Sequence, residues 1–178
     1  MPTIGQPAPA FTGKDSNGKT LSLSDFADRT VVLEWTNNQC PYVRKHYESG
    51  NMQKLQVEAA AQGVVWLSII SSAPGREGYV DGSAANTLTK ERGAKPMAVI
   101  LDPQGVIGRL YDAKTTPHMF VVEKGKLVYM GGIDDIRSTR KEDIAKATNY
   151  VRAALAEIKA GKSVSTPEST PYGCSVKY

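Results

Sequence analysis

Cys40 and Pro41 stand together in the stretch EWTNNQCPYVRKH, where a strand-like run gives way to a helical one. A thiol placed just before a helix faces backbone N–H groups that have no intrahelical acceptor. It also sits at the positive end of the helix dipole. Both favour the thiolate, drawing the pKa from about 8.5 into a range of roughly 3.5–7.5. Arg44, one turn on, falls on nearly the same face and adds positive charge. Taken alone, the cysteine fits three roles: a nucleophile, a metal ligand, or a small buried side chain with no chemistry. Thr116-Pro117, directly before a strand-like run, is a second signal. Such a proline can be cis and present the preceding backbone to whatever lies opposite, or it can be an ordinary loop proline.

The elements that must position these residues read as follows. Residues 1–12 are Pro-rich and extended. A turn at Ser16-Asn17-Gly18 leads into an alternating strand over 20–23, and Ser24 or Asp25 caps a short helical turn. TVVLEWT (30–36) is β-branched and apolar on both faces, as a strand covered on both sides should be, with Glu34 its one polar intrusion. Residues 41–62 carry a helical pattern: Pro41 suits the first turn, Gly50-Asn51 interrupts it and Gly63 ends it. Strands follow at 64–71 and 97–102, with a partly helical segment over 73–95 between them and a short helix at VIGRLYDA after them. Residues 118–133 read as a hairpin turning at 123–126. RKEDIAKATNYVRAALAEIKAG then predicts a helix of about five turns, with Ile144, Ala147, Val151, Leu155 and Ile158 on one face. After Gly161 the Ser-, Thr- and Pro-rich tail should be irregular and hug the surface. This order predicts an α/β protein with a mixed central sheet and helices on both faces, with an N-terminal hairpin added. The division is a domain over 1–161 and a tail over 162–178 that carries Cys174.

The chain has 178 residues, enough for one full core, with 40% hydrophobic and 22% charged side chains. No apolar run is long enough to span a membrane. The net charge of +4 comes from interspersed residues of both signs, which argues for a mixed solvated surface and against a nucleic-acid patch. Two cysteines, Cys40 and Cys174, fit neither a disulfide framework nor a zinc spacing.

Together these stretches resemble the thioredoxin superfamily, over residues 1 to about 160. GQPAPAFTGKDSNGKTLSLSDF is similar to the opening of its alkyl hydroperoxide reductase / thiol-specific antioxidant (redoxin, peroxiredoxin-like) branch. CPYV resembles the C-x-x-C motif in its C-P-Y form, and TTPHMF resembles the cis-proline loop. TPYGCSVKY is similar to the end of a subgroup with a Gly-Cys-x-x-Lys-aromatic tail. The resemblance implies a thioredoxin-like fold and a thiol oxidoreductase needing no cofactor and no metal. It implies Cys40 as nucleophile, assisted by Thr116, Pro117 and Glu34, the last at the place of the family's buried acid, six residues before the nucleophile. Such an acid has a raised pKa and can shuttle a proton. Pro41, Tyr42, Arg44 and His118 become the expected substrate contacts.

The chain also departs from the family. Val43 replaces the second motif cysteine. Asn37 stands where peroxiredoxins carry threonine, Thr36 is one place off, and the family's proline is absent. The expectation is that Cys174, on a mobile tail that roughly 40 Å of extended chain could carry anywhere on the domain, resolves what Cys40 forms. The N-terminal resemblance points to a peroxide substrate and the cis-proline loop to a protein disulfide; an external thiol, thioredoxin-like or small, restores the dithiol. Neither nucleic acid nor membrane is an expected partner. Two other readings stand: a copper(I) module built from Cys40, His118 and Cys174, and a redox-inactive interaction domain. His46, two turns into the helix, reads as a surface residue. A paired cysteine couple and the start PTIGQPAPAF point to the bacterial periplasm, with the cytoplasm as the alternative.

Overall fold

Val31, Leu33 and Trp35 belong to one buried cluster and Val32 to another, so alternate residues of one strand feed two cores. That strand, β3 (Thr30–Trp35), lies near the middle of the sheet. The computed structural model describes all 178 residues. The other main strands are β1 (Thr12–Asp15), β2 (Thr20–Ser22), β4 (Val65–Ile70), β5 (Ala98–Leu101), β7 (His118–Glu123) and β8 (Lys126–Gly131). They run in the order β2-β1-β5-β4-β3-β7-β8. β3, β4 and β5 are mutually parallel. β7 and β8 add an antiparallel hairpin on one side, and β1 joins β5 antiparallel on the other. The expected mixed sheet is therefore present, and the N-terminal hairpin is its far edge. A separate two-stranded piece pairs β6 (Thr115–Thr116) with β9 (Cys174–Ser175).

On one face lie α1 (Pro41–Glu48), α2 (Asn51–Ala61) and α5 (Tyr150–Lys159), supplying Val43, Tyr47, Met52, Leu55, Ala59, Val151 and Leu155 to the first core. The other face is covered by α4 (Val106–Leu110) and the N-terminal segment through Ile107, Phe11 and Leu23. Ala85, on α3 (Gly82–Glu91), closes a small cluster at Ile70 and Val99. The interruption expected at Gly50 is real: φ is 78°, a left-handed conformation that glycine adopts without strain, and it separates α1 from α2. No helix is long and apolar enough to cross a membrane.

Two expectations need correction. The turn of helix after β2 is capped at Ser22, whose amide donates to Asp25 at 2.9 Å; Ser24 is inside it. The last helix has ten residues and not five turns: it begins only at Tyr150, and residues 141–143 form a separate 3-10 turn. Asn149 stops the helix from extending backwards. Its backbone is extended and its side chain accepts from the Arg152 amide at 2.9 Å, an alternative to the helical ladder that Asn takes readily. Ile144 and Ala147 are half-buried but lie outside the helix. Asn149→Ala should lower stability by about 1 kcal/mol in urea unfolding. A continuous helix would instead gain stability from alanine at that position.

Candidate functional site

Cys40 is the N-cap residue of α1, with Pro41 at the first helical position, as its sequence neighbours predict. The loop before it is held by Asn37, which is buried. Its carbonyl accepts from the Cys40 amide at 3.1 Å and its side chain from the Gln39 amide at 2.9 Å. Cys40 itself is fully buried, and its Sγ lies 3.3 Å from the carbonyl oxygen of Thr116, the residue before the cis proline Pro117. The Thr116 hydroxyl is buried without a partner.

Cys174 is joined to Cys40 in a disulfide, with the two Cα atoms 6.0 Å apart. The tail that brings it there is fixed at several points and does more than hug the surface. Pro167 and Ser169 exchange backbone hydrogen bonds with Met130. Thr116 is then paired with Cys174 and Thr115 with Ser175, antiparallel. Gly173 passes so close to the Thr116 carbonyl that a Cβ would collide with it, and its φ of 148° adds to the penalty for any other residue. Further on, the Tyr178 ring covers Gly105 and Gly108 of the α4 turn and stacks under the Arg109 guanidinium at 4.6 Å; its hydroxyl donates to Ala113 O at 2.6 Å.

Glu34 is fully buried on the Cys40 side of the sheet. Its carboxylate accepts from Tyr47 at 2.6 Å, Ser68 at 2.7 Å and Trp66 at 2.9 Å. Burial pushes its pKa up, and those hydrogen bonds only partly offset it. None of these bonds reaches the sulfur.

A second buried polar cluster has no counterpart in the sequence reading. Lys45 and His46, consecutive on α1, are both buried, and so is Asp134. All three meet the Tyr172 hydroxyl: it donates to Asp134 Oδ1 at 2.7 Å, lies 3.2 Å from Lys45 Nζ and 3.1 Å from His46 Nε2. His46 is therefore not a surface residue. Its other nitrogen meets Asn51 Nδ2 at 2.8 Å, and burial, with the neighbouring Lys45 charge, lowers its pKa to about 3. The Tyr42 ring packs edge-on against Tyr172, with ring centroids 5.7 Å apart. Burial raises Asp134 and lowers Lys45, so each is less inclined to ionise than in water.

Other expected site residues lie elsewhere. Arg44 is exposed and its Nε donates to the Asn38 carbonyl at 3.2 Å. Its guanidinium is engaged with the loop, and no contact with the sulfur is formed. His118 pairs with Trp35 across β3 and β7 and stacks on Phe120 at 4.6 Å, so it faces the opposite side of the sheet from Glu34 and Met119. Its Nδ1 accepts from the Lys114 amide at 3.1 Å. The Cys40–His118–Cys174 copper trio is therefore not assembled: the two sulfurs bond each other and the imidazole turns away.

The AhpC/TSA family profile matches residues 4–130, most of the chain. The chain belongs to the AhpC/TSA family. Within the thioredoxin superfamily this is the redoxin branch, and a thiol-based redox function goes with it. No curated protein matches the chain. Two solved structures are similar over its whole length: a hypothetical protein of Sinorhizobium meliloti 1021 (25% identity, TM-score 0.81, 100% of this chain and 96% of that one) and an uncharacterized conserved protein of Geobacillus kaustophilus (25%, 0.83, 100% and 93%). A putative thiol:disulfide interchange protein of Chlorobium tepidum shares the fold over 73% of this chain and 85% of its own, at 23% identity and a TM-score of 0.58.

Two outcomes test this geometry. Gly173→Ala should prevent the tail from closing on Thr116, leaving both thiols open to alkylation in air-oxidised protein whose circular dichroism is otherwise unchanged. Burial, with the Lys114 charge assisting and Asp112 opposing, lowers the His118 pKa to about 4. An imidazole depressed in the folded state stabilises fully above its unfolded pKa near 6.5, and that contribution is lost as pH falls towards 4. Glu34 and Asp134, raised by burial, change stability in the opposite sense. His118→Gln removes only the first effect. Between pH 7 and pH 5 it should lose less stability than the parent protein, by about 1–2 kcal/mol in urea unfolding.

Proposed function

We propose that the protein is a thiol–disulfide oxidoreductase whose redox couple is Cys40 and Cys174. The observation that carries this is the disulfide itself, formed between a helix-capping cysteine and a tail strand laid against the cis-proline segment. In the reduced protein the Cys40 thiolate, favoured by the N-terminus of α1, attacks one sulfur of a substrate disulfide. The substrate disulfide breaks, its other sulfur leaves as a thiolate and takes up a proton, and a mixed disulfide remains on Cys40. The Cys174 thiolate then attacks the Cys40 sulfur, the substrate leaves as a second thiol, and the Cys40–Cys174 bond forms. An external dithiol or small thiol reverses that last bond and is itself oxidised. The unpaired Thr116 hydroxyl is the candidate donor to the Cys40 thiolate, Pro117 shapes the loop that faces it, and Glu34 is the candidate proton reservoir. Pro41 and Tyr42, which follow Cys40 at the head of α1, are the candidate substrate contacts.

A peroxide is the second substrate class, favoured by the AhpC/TSA match over residues 4–130. There the thiolate takes one oxygen, the alcohol or water leaves, and Cys174 condenses with the sulfenic acid to release water. The cis-proline loop that faces Cys40 favours the disulfide. A redox couple held as a disulfide suits an oxidising compartment, and we place the protein in the periplasm.

Thiol counting by alkylation and mass spectrometry tests the reading. Reduced protein given one equivalent of oxidised glutathione, or of hydrogen peroxide, should lose both thiols to a single Cys40–Cys174 bond, faster with the oxidant that is closer to its substrate. If Cys40 stays alkylatable with both, the redox reading is wrong.

A further inference from the structure

The Tyr172 hydroxyl has its full complement of hydrogen bonds. His46 Nδ1 faces the Asn51 amide nitrogen, so the ring proton sits on Nε2 and points at the phenol oxygen. Lys45 donates to the same oxygen, and the phenol proton goes to Asp134. One donation and two acceptances are what a hydroxyl offers. All three partners are buried, and Tyr172 is 4% exposed. Lys45 and His46 belong to the helix that Cys40 caps, so two of the three receptor groups and the nucleophile are parts of one rigid element. Tyr172 is two residues from Cys174, and the residue between them, Gly173, has a path fixed by its contact with Thr116.

We propose that Tyr172 is the positioning residue of the redox couple: the Lys45–His46–Asp134 cluster is a receptor for its phenol, and docking there holds Cys174 against Cys40. This rests on the reading of Cys40 and Cys174 as an exchanging pair. A resolving cysteine on a free tail meets its partner only at the concentration that a flexible loop supplies. A tail seated by a buried hydroxyl keeps the two thiols together after reduction, as neighbours within one short motif would be. It also explains the buried Lys45 and His46, for which the exchange reaction has no other use.

The state dependence makes the proposal testable. The disulfide forces residue 172 into the receptor, so phenylalanine there leaves Lys45, His46 and Asp134 without their shared partner. In the reduced variant, with no phenol to seat it, the tail can lift and admit water. The substitution therefore penalises the disulfide form selectively, whereas a purely structural role would weaken both forms alike. With reduced and oxidised glutathione as the probe, Tyr172→Phe should lower the equilibrium constant for the Cys40–Cys174 bond about tenfold or more, a rise in potential of about 30 mV. Alkylation of Cys40 in the reduced variant should also become faster than in the parent protein. Lys45→Met, which keeps the tyrosine and removes one donor, should shift the same equilibrium in the same direction, and serves if Tyr172→Phe does not fold. Tyr79→Phe, at a partly exposed site away from the cluster, is the control. If the parent exchanges normally and the folded variants match it within a factor of two, the positioning role is refuted. If the parent shows no exchange at all, the redox-couple reading fails, and this inference fails with it.

Discussion

A backbone contact too close for a methyl group joins the C-terminal tail to the cis-proline loop. The Thr116 carbonyl lies against Gly173 on one side and 3.3 Å from the Cys40 sulfur on the other. Everything at the site is arranged about that one peptide. The carbonyl belongs to the residue before the cis proline, the pairing of β6 with β9 sets the register of the tail, and glycine alone permits the approach. Val43 fills the position of the motif's second cysteine with a core side chain, and the partner of Cys40 comes instead from the tail.

The polar interior divides into two networks with different characters. Around Glu34 the donors are neutral side chains from α1, α2 and β4, and none comes from the tail. Around Tyr172 the partners are ionisable and the central hydroxyl comes from the tail, so its integrity depends on whether the tail is in place. Leaving buried charges unpaired is far more costly than never burying them. The second network therefore couples the fold of α1 to the position of the tail.

Much of this was legible in the residues. β3 declared itself by being apolar on both faces, Pro41 marked the start of α1, and Thr116-Pro117 marked the loop opposite it. The partnership of Cys40 and Cys174 followed only from a resemblance, because no local pattern links such distant positions. The Lys45–His46–Asp134–Tyr172 cluster was illegible for the same reason: its members lie in segments that look like exposed helix and loose tail, and only tertiary contact joins them. The side of the sheet that His118 faces is also legible. Its parity with Phe120 in an alternating strand puts it on the far side of the sheet from Met119. In the last helix the spacing of Ile144 and Ala147 imitated a helical face and outweighed the capping signal of Asn149.

The distance between the two cysteines along the chain also bears on how the protein is made. They are separated by 134 positions, so Cys40 leaves the ribosome well before its partner exists. At typical synthesis rates that interval is on the order of ten seconds. Late in it, once β8 is made, the site has its helix and its sheet but no tail over the sulfur. A nascent chain in that condition is an unshielded thiol, open to any oxidant or mixed-disulfide partner it meets. Completion of the last few residues gives the thiol both its cover and its partner.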